Sequence, residues 1–156
     1  MELRPAAPAD ALAVARIHVR AWQTAYRDLL PAAYLDSLRA EDRAARYTFG
    51  RPDGPRTTVA LADGTLVGFS TIHGAELCAL HVDPDAWRRG VGSALIARAR
   101  AELAAAGIAE AHLWLLDGNT RAEQFYVRDG WAPGGSERTD TVWGTLVHER
   151  EVRRRL

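Results

Sequence analysis

Lysine is absent from this chain: all 20 of its basic residues are arginine. Asparagine occurs once, at Asn119, and cysteine once, at Cys78. Each shortage excludes something. A nucleotide-binding P-loop needs a Gly-Lys-Ser/Thr core, so the chain has none. One cysteine cannot build an internal disulfide framework. Cys78 lies in an apolar run, where a small buried hydrophobe is expected. An excess of one charge is missing too, since 20 acidic residues balance the 20 basic ones. That removes the electrostatic footprint of a nucleic-acid or membrane-surface binder. The tail from Glu149 to Arg155 is locally basic and reads as a solvated strand end. No apolar run is long enough for a membrane span, and the N-terminus lacks a signal-peptide pattern. The expectation is a soluble, cytoplasmic protein with no metal, nucleic-acid or membrane partner.

What is present has the proportions of one globular domain. The chain has 156 residues, 47% of them apolar and 26% charged, so a single domain over 1–156 is expected. Glu2 to Arg4 predicts a short strand closed by Pro5. Asp10 is a plausible N-cap, and Leu12, Ala15, Val19, Trp22 and Tyr26 then recur at helical spacing. Pro31 can open a second helix through Leu38, continued by Glu41 to Phe49. Thr57–Ala62 and Thr65–Ile72 are β-rich runs around Asp63-Gly64, the strongest hairpin signal in the chain. Glu76–Val82 reads as a further strand. A helix over Gly90–Ala106 ends at Gly107, a strand follows over Ala111–Leu116, and a helix over Asn119–Asp129 ends at Gly130. Trp131 and then Thr141–Arg150 can supply two last strands. The order β-αα-βββ-α-β-α-ββ is a mixed α/β fold with one sheet.

Chemistry concentrates in Asp83 to Ala97. A strand runs into a short turn, then two arginines, then Gly90 and Gly92, then an alanine-rich helix. Backbone N–H groups aimed at one spot, at the positive end of a helix, suit a phosphate or pyrophosphate. Glycine in such a turn supplies a left-handed conformation or a close approach. A dinucleotide fingerprint would need another glycine at position 95, which is leucine.

The stretch L-H-V-D-P-D-A-W-R-R-G-V-G-S-A-L-I resembles the acetyl-CoA-binding motif of the GNAT superfamily of N-acetyltransferases. The segment from Leu113 to Trp131, L-W-L-L-D-G-N-T-R-A-E-Q-F-Y-V-R-D-G-W, is similar to the strand and helix that complete the superfamily's cofactor site. The N-terminal H-V-R-A-W-Q-T-A-Y-R-D-L-L-P is similar to many small bacterial members. The resemblance implies acetyl-CoA as co-substrate, gripped by the turn from Arg88 through Arg89, Gly90, Val91 and Gly92 to Ser93. It implies that the strand at Leu80 to Val82 splays from the strand at Ala111 to Leu116, so that pantetheine pairs with the open edge. A backbone N–H near His81 or Val82 would then polarise the thioester carbonyl. Asn119 would hold the pantetheine arm, compatibly with capping its helix. Tyr126 would face the thioester sulfur as general acid, at modest cost for a phenol of pKa about 10 facing a thiolate of about 8.5.

An alkylammonium must lose a proton before it attacks. Glu76, eleven residues before Trp87, matches the offset of the catalytic glutamate in the histone-acetylating branch; His81 and Asp117 are weaker candidates. His18 and His73 belong to the acceptor pocket or to nothing. Trp87 departs from the motif's usual Gln or Arg. Trp114 stands where the ribosomal-protein-acetylating branch carries its glutamate, and narrows the acceptor site. Trp22, Tyr26 and Tyr34 are candidates to line that site. The implied acceptor is a primary amine on a small molecule, attacked directly in a ternary complex. A protein N-terminus or lysine is the alternative acceptor, and a non-catalytic acyl-CoA-binding module the alternative of another class. A homodimer through the last strands is left open.

Overall fold

In the computed structural model, which describes residues 1–156, the strands are β1 (Glu2–Pro5), β2 (Arg56–Ala62), β3 (Thr65–His73), β4 (Glu76–Val82), β5 (Glu110–Leu116), β6 (Ala132–Val142) and β7 (Thr145–Arg155). The helices are α1 (Ala11–Ala25), α2 (Ala32–Asp36), α3 (Ala40–Ala44), α4 (Val91–Ala105) and α5 (Thr120–Arg128). One mixed sheet carries all the strands, in the order β1-β2-β3-β4-β5-β7-β6. Only β4 and β5 are parallel, joined by the crossover helix α4.

Alternation along the strands sets the two faces. Val59 and Phe69 pack with Val14 and Ile17 of α1, whereas Ala60 packs with Val91 and Leu95 of α4. Helix α4 buries Val91, Leu95, Ile96, Ala99 and Leu103 along one side. Its far end and α5 share a third cluster with Ala111, Leu113 and Leu115 of β5. Odd-numbered β5 residues thus face α4 and α5. Trp114, between them, faces the other way, toward the α1 side of the sheet.

Several expectations change. Asp10 precedes α1 but does not cap it. Its carboxylate turns back to the Ala7 N–H at 2.8 Å and to Arg4 at 2.8 and 3.0 Å, closing a short turn over Pro8–Asp10. Leu12 is exposed, while Val14, Ile17, His18 and Ala21 join the buried stripe. The second helical region breaks into two five-residue helices. The last strands are longer than expected and meet at Trp143-Gly144, not within one run from Thr141. The basic tail becomes β7, wedged between β5 and β6, with Glu151 and Val152 buried. Trp131 is a core residue, its indole N–H donating to Asp129 at 3.0 Å.

Cys78 is exposed, contrary to the buried position expected. Thr71 pairs with Ala79, but Ile72 pairs with Leu77, so Cys78 is the extra residue of a β-bulge. The bulge flips the side-chain alternation of β4. Leu77 faces the α4 cluster, whereas Ala79 and His81 face α1 and Phe69.

Candidate active site

Strands β4 and β5 meet at a single register pair, Glu76 with His112, where the His112 N–H reaches the Ala75 C=O at 3.0 Å. Beyond it they separate. The Asp83 N–H donates to the Val67 C=O at 2.8 Å. Antiparallel alternation therefore commits the backbone of His81 and Ala79 to β3 and turns that of Leu80 and Val82 toward the gap. The Val82 C=O agrees, since it accepts from the Trp87 indole N–H at 2.9 Å. On the facing edge the same reasoning turns the backbone of Trp114 and Leu116 into the gap. The expected N–H near His81 or Val82 is thus narrowed to Leu80 and Val82, because His81 spends its own on the sheet.

The gap opens into a cleft of about 880 Å³ that runs from the turn before α4 to the α1–α3 side of the sheet. At its α4 end the first intrahelical bond is Ala94 N–H to Gly90 C=O, 3.0 Å. The N–H groups of Val91, Gly92 and Ser93 precede it and have no partner within the helix. Gly90 has φ +79 and Arg88 φ +64, so the turn needs left-handed backbone at both. A Cβ on Gly90 would meet nothing within 4 Å; on Gly92 it would lie 3.3 Å from the Phe125 ring. Gly90 is therefore required by its backbone angle and Gly92 by the close approach of α5. Arg88 lines the cleft, and Arg89 does not. Arg121, which sequence reasoning missed, stacks 3.2 Å from the Trp87 ring centroid at the same end. These unpaired N–H groups, with Arg88 and Arg121, fit a pyrophosphate, and the two open strand edges fit an amide-bearing chain between them.

Tyr126 is the one buried residue of α5, held edge-on between Phe125 and Trp131, and it reaches the cleft. Burial raises its phenol well above the ordinary value, with Tyr26 and Asp129 adding to the effect. Tyr26 also lines the cleft, pushed up to about 12 by burial and by the Glu149 carboxylate, against an opposing bond from Asn119. Asn119 accepts from the Ala122 N–H at 3.3 Å and so caps α5, while its side chain borders the cleft.

Glu76 and Cys78 line the floor where the strands part. The Glu76 carboxylate has no hydrogen-bond or ion-pair partner in the chain. Cys78 is open to the cleft, but crowding by the walls and the Glu76 charge push its thiol up to about 12. Burial and the Arg43 charge lower His81 to about 4, and burial with His81 and Arg43 lowers His18 well below its ordinary value. Asp117 and His73 lie outside the cleft. So does Tyr34, whose hydroxyl donates to the Trp143 C=O at 2.8 Å and ties α2 to the β6–β7 turn. Trp22 and Trp114 do line the cleft, and Arg138 stacks 4.3 Å from the Trp114 ring centroid.

Residues 15–131 match the family profile described as acetyltransferase (GNAT) family. The chain belongs to the GNAT family of acetyltransferases. An uncharacterized N-acetyltransferase of Bacillus subtilis, YuaI, is 26% identical over 125 residues, covering 75% of this chain and 72% of the relative. Among solved structures, a GCN5-related N-acetyltransferase from Rhodopseudomonas palustris superposes with TM-score 0.84 at 26% identity, covering 99% of this chain and 95% of that one. The PaiA N-acetyltransferase of Thermoplasma acidophilum, solved with coenzyme A, gives 0.75 at 20% identity over 99% and 98%. The splayed strands and the glycine turn of this GNAT domain stand within the matched residues. Arg43, Arg121, Arg138 and Glu149, all in the cleft, carried no signal in the sequence. Each is one of 40 charged side chains, and only the fold selects it.

Proposed function

We propose that the protein transfers the acetyl group of acetyl-CoA to a primary amine of a small molecule, by direct attack within a ternary complex. One observation carries the reading: a single cleft joins the unpaired N–H groups of α4 to Tyr126 and an unpartnered Glu76, across the parted edges of β4 and β5. Acetyl-CoA supplies an acyl group on a thiolate leaving group.

The chain's residues then divide the work. The N–H groups of Val91 to Ser93, with Arg88 and Arg121, hold the pyrophosphate. The edges of Leu80, Val82, Trp114 and Leu116, with Asn119, hold the pantetheine arm as an added strand would be held. A Leu80 or Val82 N–H meets the thioester carbonyl oxygen and stabilises the negative charge that develops there. Glu76 takes the proton of the attacking amine, directly or through water. The amine nitrogen bonds the carbonyl carbon, the carbon–sulfur bond breaks, and the sulfur leaves as a thiolate that accepts a hydrogen bond from Tyr126 and then takes its proton from water. His81 is a poor base, because its lowered pKa leaves it little affinity for a proton. Cys78 is a poor nucleophile, because its raised pKa leaves almost no thiolate; this favours direct transfer over an acyl-cysteine. Burial also revises the role of Tyr126. Its phenol is a weaker acid than a free one, so full proton transfer costs about 1.4 kcal/mol more for each unit of the rise. Its contribution is chiefly a hydrogen bond to the departing sulfur.

The test is thiol release from acetyl-CoA across a panel of amines, with the mass of the product read in parallel. An amine that gains one acetyl group as thiol appears supports the reading. Tight coenzyme A binding with no turnover on any amine, polyamine, aminoglycoside, amino acid or peptide would make the protein a binding module instead.

A further inference from the structure

Arg43, on α3, lines the cleft on its acceptor side. Its guanidinium carbon lies 4.9 Å from the Trp143 ring centroid and 5.5 Å from that of Tyr47. It takes part in none of the chain's ion pairs, and its Nε–H is buried without an acceptor. Trp22 is 7% exposed and lines the same cleft, and its Nε1–H also has no acceptor. The Trp22 ring lies 4.7 Å from the ring of Trp143. Two orphaned donors thus converge on one indole.

The nearest acceptors are already engaged. The Tyr47 hydroxyl is bonded to His18 Nδ1 at 2.9 Å and to the Arg43 guanidinium, whose Nε–H still lacks a partner. The Glu149 carboxylate is bonded to Arg138 at 3.0 Å. Leaving a buried donor unpaired costs about 1–3 kcal/mol, more when it is charged. The indole that gathers them is itself held at φ +52, a strained conformation for a bulky residue. Tyr34 fixes its carbonyl, and His18 stacks 4.6 Å from its ring.

We propose that Arg43 and the Trp22 indole N–H receive a carboxylate of the acceptor, so that the amine acetylated belongs to a small amino acid. The proposal rests on the acetyltransferase reading. The His18 and His81 rings lie 4.6 Å apart beside Arg43, and His81 adjoins Leu80, whose N–H faces the thioester end of the gap. A carboxylate held there stands close to the reacting carbonyl, so few atoms separate it from the amine. Glu76, with no partner of its own, lines the same cleft.

The experiment compares matched pairs, L-alanine with L-alaninamide and L-phenylalanine with L-phenylalaninamide, alongside C-terminally amidated tripeptides with and without an acidic side chain. Binding to the coenzyme A-saturated protein is read by calorimetry and turnover by thiol release, for wild type, Arg43→Gln and Arg43→Lys. The free carboxylates should bind at least about tenfold more tightly than their amides in the wild type. Arg43→Gln should remove that preference and Arg43→Lys keep part of it, with coenzyme A affinity unchanged in both. Equal binding of the two members of each pair, no binding of either, a preference for amidated peptides, or a carboxylate preference that survives Arg43→Gln would each overturn the proposal. Because the wild-type pairs decide it alone, a variant that fails to fold leaves the test intact. Selective carboxylate binding without thiol release would instead count against the transferase reading while supporting the anion site.

Discussion

In the proposed mechanism Tyr126 serves the departing sulfur and Glu76 the attacking amine, and each role can be tested by removing one group. Tyr126→Phe deletes the hydroxyl but keeps the ring between Phe125 and Trp131. Turnover should fall about 100-fold while acetyl-CoA affinity stays within about threefold, since the lost bond forms only as the sulfur departs. Equal turnover in the two proteins would remove Tyr126 from the chemistry. Glu76→Gln should lower kcat about 100-fold or more and flatten the acidic limb of the pH–rate profile. An unaltered profile would assign the base elsewhere. His81 makes a prediction about stability. Folded, its pKa is lowered to about 4 from 6.5, so between those values the unfolded chain binds a proton that the native one does not. Stability from this ring is complete above about pH 6.5 and declines as pH falls toward 4. His81→Asn should narrow the stability difference between pH 7.5 and pH 5 by at most about 2 kcal/mol, as urea unfolding would show. An identical pH dependence in both proteins would mean that the ring does not sit neutral beside His18 and Arg43.

At the scale of elements, the turn into α4 uses its two glycines for different reasons, and substitution should separate them. Gly90→Ala meets no atom but must keep φ +79. That strain of roughly 1–2 kcal/mol should lower Tm by roughly 2–8 °C. Gly92→Val presses on Phe125 and should lower both Tm and coenzyme A affinity. Adding Phe125→Leu should recover Tm but not affinity, because the valine still stands among the N–H groups at the helix start. Recovery of both would mean that Gly92 serves packing alone. The two hairpin turns show what the sequence can and cannot announce. Asp63-Gly64 and Trp143-Gly144 share a conformation, with φ of +49 and +76 in one and +52 and +77 in the other. Asp-Gly is a familiar signal for such a turn; Trp-Gly is not, because a bulky residue avoids positive φ unless tertiary contacts hold it there. Those contacts come from α1, α2 and α3, far away in the chain. For the same reason the last two strands were misplaced while the first hairpin was legible. The bulge at Cys78 was equally hidden, since one extra residue leaves the apolar character of β4 unchanged.

For the whole molecule, the turn proposed to hold the pyrophosphate is legible because Arg88 to Ser93 are consecutive, whereas Arg121, which joins that end from α5, is not. At the acceptor end Trp22 and Trp114 are legible as candidates, but Arg43 and Trp143 are not, because they lie far from Trp22 in the chain and meet it only on folding. A chain with no lysine offers acetyl-CoA no side-chain amine. Prolonged incubation should therefore leave at most one acetyl group, on the N-terminus, by intact-mass measurement. The central claim is that both substrates occupy this one cleft together. Initial rates of thiol release, measured while acetyl-CoA and a reactive amine are both varied, test it most directly. Double-reciprocal lines that intersect are the predicted result. Parallel lines, which require an acetylated enzyme between two half-reactions, would contradict it.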